Sequence, residues 1–243
     1  DMMDGLDRIG NDTTEKGVRS ASGPSAIVLA ESAVPYILLS SATNISATGA
    51  ITGATALPYT PTGVVFVYIF AQTGLTAGVY AARFSSTTAC QLYSDAAGTV
   101  ALSGITAGAY VGGITAAIVA SIAIPARAMG PNGQLRINHQ FVYPTTAGSK
   151  NFNVTFGSAT VLNSNRTTAG GGDSFTSRVV NRGIEDRQLI AVPSESATSS
   201  NSLTRSNIDT TVAQSVIFTL QLITTQADYM ILEGYTIEVV YGA

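Results

Sequence analysis

The chain has 243 residues, of which only 11% are charged, against about 25% in a typical soluble domain. Its net charge of −3 and isoelectric point near 5.0 exclude the basic footprint of a nucleic-acid-binding protein. The only cysteine, Cys90, excludes an intrachain disulfide framework and a cysteine-based metal cluster, and we expect it to be a small buried hydrophobe. Ala, Gly, Ser and Thr replace the missing charge, which suits proteins that pack against copies of themselves or work outside the cell.

Residues 1–26 are predicted to form a short polar N-terminal arm. Eight of the chain's 27 charged residues lie within its first 20 positions, and no basic start with an apolar run marks a secretory signal. Two interpretations stay open for this arm: a flexible terminus, or an attachment segment that becomes ordered on a partner.

Residues 27–128 are predicted to form a charge-poor β domain. The expected strands cover residues 26–30, 35–40, 63–71, 78–86 and 89–94, and turn-forming residues separate them. Between Ser32 and Ala126 the only charged residues are Arg83 and Asp95, so we expect part of this domain to face another subunit.

Residues 96–126 contain no charge but do not favour a membrane span. The stretch is rich in Gly, Ala, Ser and Thr and is interrupted at Gly112, Gly113 and Pro125, whereas a spanning helix needs about 20 predominantly apolar residues. We therefore expect a buried strand or a subunit interface here and no membrane insertion.

Residues 129–243 are predicted to form a C-terminal β-sandwich domain, after a boundary in the hinge-like sequence IPARAMGPNG. The expected strands cover 134–143, 151–162, 174–180 and 188–192, followed by two closing strands. Those closing strands show the period-two alternation of half-buried β structure, with one face made of Val216, Phe218, Leu220 and Leu222, then Tyr235, Ile237, Val239 and Tyr241. The patterns together predict an all-β protein of two β-sandwich, jelly-roll-like domains behind the arm.

Two polar segments of the C-terminal domain are predicted to be flexible loops. They cover residues 167–173, which include the Gly170–Gly172 run, and residues 194–206. Binding functions commonly reside on such loops. The glycine run lacks the Gly-Lys-Ser/Thr that follows in a phosphate-binding loop, so a nucleotide site is not expected.

The candidates for catalysis are few. The lone histidine, His139, has no partners that the sequence nominates for a triad, and no further ligands suggest a zinc site. A carboxylate pair for glycoside hydrolysis would have to come from Asp173, Glu185, Asp186 and Glu195. The adjacent Glu185 and Asp186, between Arg182 and Arg187, are interpreted as a turn with exposed ion pairs. The chain has no tryptophan to stack on a sugar, although Tyr143 and Phe175 could serve. We assign no catalytic, cofactor-binding or metal-binding residue.

Several segments resemble structural proteins of tailed bacteriophages. In the first half these are AVPYILLSSATNISATGAITGATALPYT and GVYAARFSSTTACQLYSDAAGT. In the second half IPARAMGPNGQLRI, KNFNVTFGSATV, VVNRG, IDTTVAQSVIFTLQL and ILEGYTIEVVYGA resemble the terminal β domain of phage fibre and receptor-binding proteins. The resemblance covers all of the chain except its arm and carries over no individual binding residue.

This resemblance implies a non-enzymatic structural protein of the virion. We expect a homotrimeric tail-fibre or receptor-binding subunit that attaches to a host-surface glycan or protein, with the arm contacting other virion proteins. Two alternatives remain: a capsid fibre or decoration protein, and a tail spike that degrades polysaccharide.

Overall fold

The computed structural model describes residues 17–18, 26–39, 41–112, 115–144, 146, 148–167, 171–192, 202–223 and 228–241. These residues form 18 strands and no helix, which confirms the all-β fold class. Among them there is accordingly no helix of the length and apolarity that a membrane crossing requires. The arm contributes β1 alone, and the rest of residues 1–25 lies outside the described ranges.

The first nine strands run from the arm to residue 111. They are β1 (Gly17–Val18), β2 (Ala26–Ser32), β3 (Tyr36–Leu39), β4 (Ser41–Ile45), β5 (Ala50–Ala54), β6 (Val65–Ile69), β7 (Gly78–Ser86), β8 (Ala89–Tyr93) and β9 (Gly108–Val111). The remaining strands are β10 (Ala117–Ile124), β11 (Gln134–Tyr143), β12 (Lys150–Phe156), β13 (Ala159–Arg166), β14 (Gly171–Asn181), β15 (Gln188–Val192), β16 (Ser202–Ser206), β17 (Gln214–Leu222) and β18 (Tyr229–Val240).

Strands β3 to β9 form a rolled sheet in the order β3-β6-β7-β8-β5-β4-β9. The order starts at β3 and ends with β4 and β9. Because only one residue separates β3 from β4 in the chain, the two ends of this strand order lie close together. The enclosed space is filled by aliphatic side chains and by Tyr110, which is completely buried. The two charged residues of this region both bind its own backbone: Asp95 accepts from the amides of Thr99 and Val100, and Arg83 donates to the carbonyl of Gly98.

The C-terminal part is a two-layer sandwich. One layer has the order β16-β15-β14-β11-β18-β2, and the other is the four-stranded sheet β10-β17-β12-β13. Aromatic pairs join the layers: the ring centroids of Phe141 and Phe152 are 4.3 Å apart, and those of Phe218 and Tyr235 are 5.0 Å apart. The predicted alternation of the closing strands is therefore confirmed, because the apolar sides of β17 and β18 face this core.

The predicted boundary at residue 128 does not coincide with a break in strand pairing. Strand β10 precedes it but pairs with β17, and β2 precedes it but pairs with the second part of β18. The first part of β18, Tyr229–Leu232, pairs instead with β3 of the roll. Residues 27–128 and 129–243 are thus not two separately hydrogen-bonded sheets.

Three local predictions were wrong. Residues 151–162 are not one strand, because Gly157 adopts a positive φ of 53° and turns β12 into β13. Residues 171–173 of the predicted glycine loop belong to β14, where a Cβ at Gly172 would approach the Phe141 carbonyl oxygen to 3.2 Å. Residues 202–206 of the second predicted loop form the edge strand β16; residues 168–170 and 193–201 lie outside the described ranges.

Candidate functional site

The outer surface of β11, β14, β15 and β16 is a sheet face that no described element covers. Along β11, β14 and β15 the inward side chains are buried, as at Leu135, Ile137, Val179 and Ile190, whereas residues 203–205 of the edge strand β16 are all exposed. The residues between them point outward and are exposed or half-buried. This strict alternation arises because successive side chains of a strand point to opposite sides of its sheet.

The outward positions carry an unusual concentration of arginine. We call this surface the arginine face, and its exposed arginines are Arg178, Arg182, Arg187 and Arg205. None of the four guanidinium groups forms an ion pair with a described residue. A fifth, Arg136, lies on the same face but is neutralised by Glu238 at 3.0 Å. A chain with a net charge of −3 therefore presents a locally cationic surface.

Strand register places three of these arginines around one point. Arg182 and Arg187 lie opposite each other at the end of the β14–β15 hairpin, where the Arg182 amide donates to the Arg187 carbonyl oxygen at 3.0 Å. Arg205 lies opposite Leu189 on the neighbouring strand β16. Leu189 is two residues beyond Arg187 and therefore points to the same side, about 7 Å further along the strand.

The three side chains line a hollow of about 360 Å³ at the edge of the sheet. Its walls are formed by Arg182, Arg187, Gln188, Arg205, Ser206 and Asn207. An arginine presents up to five donors in a planar fork, which binds carboxylate or phosphate oxygens in pairs. The hollow is therefore suited to an anionic group.

A buried amide network fixes the backbone beneath the hollow. The Gln188 side-chain amide donates to the Ile208 carbonyl and to the Asn181 side chain, and its oxygen accepts from the Ile208 amide at 2.8 Å. The Asn181 amide donates to Thr210 Oγ1, which itself donates to the Glu185 carbonyl oxygen at 2.7 Å. Because Gln188, Asn181 and Thr210 are nearly inaccessible to solvent, these bonds hold the hairpin in one geometry.

The turn between the arginines is present, but its predicted ion pairs are not. Glu185 pairs with Arg127 at 3.1 Å instead of with Arg182 or Arg187. This pairing leaves the two flanking guanidinium groups available. The structure thus corrects the interpretation of this segment as a self-neutralised turn.

Acidic side chains collect in a neighbouring hollow of about 620 Å³. It is lined in part by Glu185, Asp186 and Asp209, and a hydrogen bond from Thr211 lowers the pKa of the Asp209 carboxyl. The described residues nevertheless contain no group of three or more potential metal ligands. Negative and positive groups are therefore separated on either side of Asn207, which lines both hollows.

Among the candidate catalytic carboxylates, Asp173 is far from the turn that carries Glu185 and Asp186. Asp173 accepts hydrogen bonds from Arg166 and Tyr143, both at 2.8 Å. It precedes Asn181 by eight residues on β14, so roughly 26 Å of strand separates it from the Glu185 turn. Glycosidase carboxylates lie about 5–10 Å apart. Glu195 lies outside the described residues.

The other singled-out residues belong to the core. His139 is 1% exposed and its ring contacts those of Phe141, Phe175 and Phe218. Burial lowers the pKa of His139 to about 4, so its imidazole is neutral at pH 7. Cys90 is buried as predicted. Tyr143 and Phe175 are 5% and 7% exposed, so neither offers the sugar-stacking surface considered for them.

Sequence reasoning missed the arginine face because its members are spread over residues 178–205 and three strands. One signal was present: Arg178 lies in β14 and Arg182 follows four positions later, one residue beyond its end, and a spacing of four along extended chain places both on one side of a sheet. Comparison of the chain with models of protein families finds no match, and no curated protein matches it either.

Proposed function

We propose that this protein is a non-enzymatic attachment protein of a phage virion, a tail-fibre or receptor-binding subunit that contacts the host surface through the arginine face. The observation that carries the proposal is a set of exposed arginines that have no ion-pair partner among the described residues, on a sheet face that no described element covers. Long-range attraction between this face and an anionic cell surface raises the rate of productive encounters.

The scaffold supports binding because it fixes the backbone that bears the arginines before a ligand arrives. The hairpin that bears Arg182 and Arg187 is anchored by the buried amide of Gln188. A preorganised backbone loses little conformational entropy on binding, so more of the interaction energy appears as affinity. A trimer would present three copies of the face, and their combined attachment exceeds that of one site through effective concentration.

Competition for adsorption tests this proposal. Purified protein added in excess should slow the attachment of particles carrying the same chain to their host, and gold-labelled antibodies should mark the tail of those particles. The Arg182→Gln/Arg187→Gln double variant should compete poorly. Arg83→Gln, which removes an exposed arginine from the roll, should compete like the unmodified protein. Full competition by the double variant, or labelling of the head alone, would contradict the proposal.

A further inference from the structure

An apolar ledge lies within the arginine face. Val180 and Leu189 are half-buried, point outward and are paired directly across β14 and β15. Opposite side chains of neighbouring strands are about 5 Å apart, so the two form one continuous surface. Exposed apolar surface inside a charged patch contacts a ligand that itself has an apolar side.

Arginines border this ledge on three sides. Arg182 and Arg187 form the next row toward the hairpin end, and Arg178 lies in the row on the other side. Arg205 flanks Leu189 on the edge strand. Neighbouring rows are about 7 Å apart and neighbouring strands about 5 Å apart. A ring of about 5 Å across can therefore rest on the ledge while a substituent reaches the guanidinium groups.

We infer that the ligand of the arginine face is an acidic saccharide, in which a carboxylate binds Arg182, Arg187 and Arg205 while one apolar side of the pyranose ring lies on Val180 and Leu189. A pyranose has C–H groups directed to its two sides and hydroxyl groups around its rim, which matches a ledge bordered by donors. This inference rests on the proposed function, since it names the chemical class of the same site's ligand.

Two features favour a saccharide acid over a phosphate polymer or a nucleic acid. A phosphate chain binds through its charges to cationic side chains, so the apolar ledge between the arginines would not strengthen its binding. Single-stranded nucleic acids are bound by aromatic stacking platforms, and the outward positions of this face offer aliphatic side chains instead. Polar residues continue the face on the far side of Arg178. There Thr176 Oγ1 donates a hydrogen bond to Asn138 Oδ1 at 2.8 Å, and both side chains can bind further sugar hydroxyls.

Titration calorimetry with four probes tests the inference on the full chain. The probes are an oligogalacturonate, the same oligosaccharide with its carboxylates methyl-esterified, a sodium polyphosphate of similar charge, and a DNA oligonucleotide. We expect the oligogalacturonate to bind, the ester to bind at least tenfold more weakly, and Arg187→Gln to weaken the acid's binding about ten- to a hundredfold. Raising the salt concentration should weaken binding further.

Variants of the ledge separate charge from ring recognition. Val180→Thr preserves the shape of the side chain and Leu189→Thr retains a strand-forming residue, so circular dichroism should show an intact fold for both. Both should weaken oligogalacturonate binding severalfold and leave polyphosphate binding unchanged. Tighter binding of polyphosphate or of a DNA oligonucleotide, with no effect of the ledge variants, would overturn the saccharide assignment and leave attachment to anions standing. Absence of binding to every anion, with undiminished adsorption by Arg187→Gln, would overturn both.

Discussion

The histidine buried in the sandwich core should make the protein sensitive to acid. Its ring packs against the rings of Phe141, Phe175 and Phe218, and neither nitrogen has a hydrogen-bond partner of normal geometry among the described residues. Burial holds the pKa of His139 at about 4, against about 6.5 in an unfolded chain. The unfolded state therefore binds a proton more readily, so stability is intact above pH 6.5 and declines as the pH falls toward 4.

The size of this effect follows from the two pKa values. The free energy of unfolding should fall by about 2 kcal/mol between pH 8 and pH 5 through His139 alone, and by about 3 kcal/mol at pH 4. His139→Leu fills the site with an apolar side chain of similar volume and removes the titrating group.

Urea unfolding of the protein and of His139→Leu at pH 8, 6, 5 and 4 measures the difference. The variant should be at least as stable at pH 8, since it no longer buries two unpaired nitrogens, and its advantage should grow by about 2 kcal/mol at pH 5. Carboxylates that titrate in both proteins cancel in this difference. Parallel stability curves from pH 8 to pH 4 would show that burial does not lower the pKa of His139.

Other predictions concern buried charge, backbone geometry, thiol reactivity and assembly. Lys150 and Asp228 form an ion pair at 3.4 Å, and each side chain is 1% exposed. Because Lys150→Met leaves the buried Asp228 charge uncompensated, it should lower the free energy of unfolding in urea by about 3–5 kcal/mol, and the added Asp228→Asn change should restore part of that stability. Gly74→Ala should lower the free energy of unfolding by more than about 1 kcal/mol, because the added Cβ would lie 2.6 Å from the carbonyl oxygen of Gly104. Gly63 has a similar positive φ but open surroundings, so Gly63→Ala should lower the stability less. Burial raises the pKa of Cys90 to about 12, so the folded protein should resist iodoacetamide at pH 8 and react once unfolded in urea. Light scattering at micromolar concentration should show an oligomer, and a monodisperse monomer would contradict the expected subunit contact.

Strands with large alternating side chains could be predicted from the sequence. Strands β11 and β15 begin and end where the pattern places them, because bulky apolar residues alternate there with polar ones. Strands β4 and β5 were not predicted, since Ala, Gly, Ser and Thr dominate them and only Ile45 and Ile51 signal burial. Such small residues form strands here because neighbouring strands of the roll pair with both sides of each.

The candidate site could not be predicted because it depends on which residues form ion pairs and which strands lie side by side. The charge of Arg187 would be neutralised if Glu185 formed an ion pair with it. From the local sequence, Glu185 could pair with either Arg182 or Arg187. The structure gives it to Arg127, which lies 58 positions earlier. In the same way, Arg205 reaches the hairpin only through the pairing of β15 with β16. Period-two patterns identify the side of a strand, but they do not identify its neighbour.

We propose above that the arginine face binds an anionic group on the host surface. Arginine footprinting with phenylglyoxal and mass spectrometry tests it most directly, because it reports each guanidinium separately and works in any oligomeric state. With saturating oligogalacturonate, we expect strong protection of Arg182, Arg187 and Arg205 and unchanged modification of Arg83. Equal modification of all four arginines with and without the ligand would contradict it.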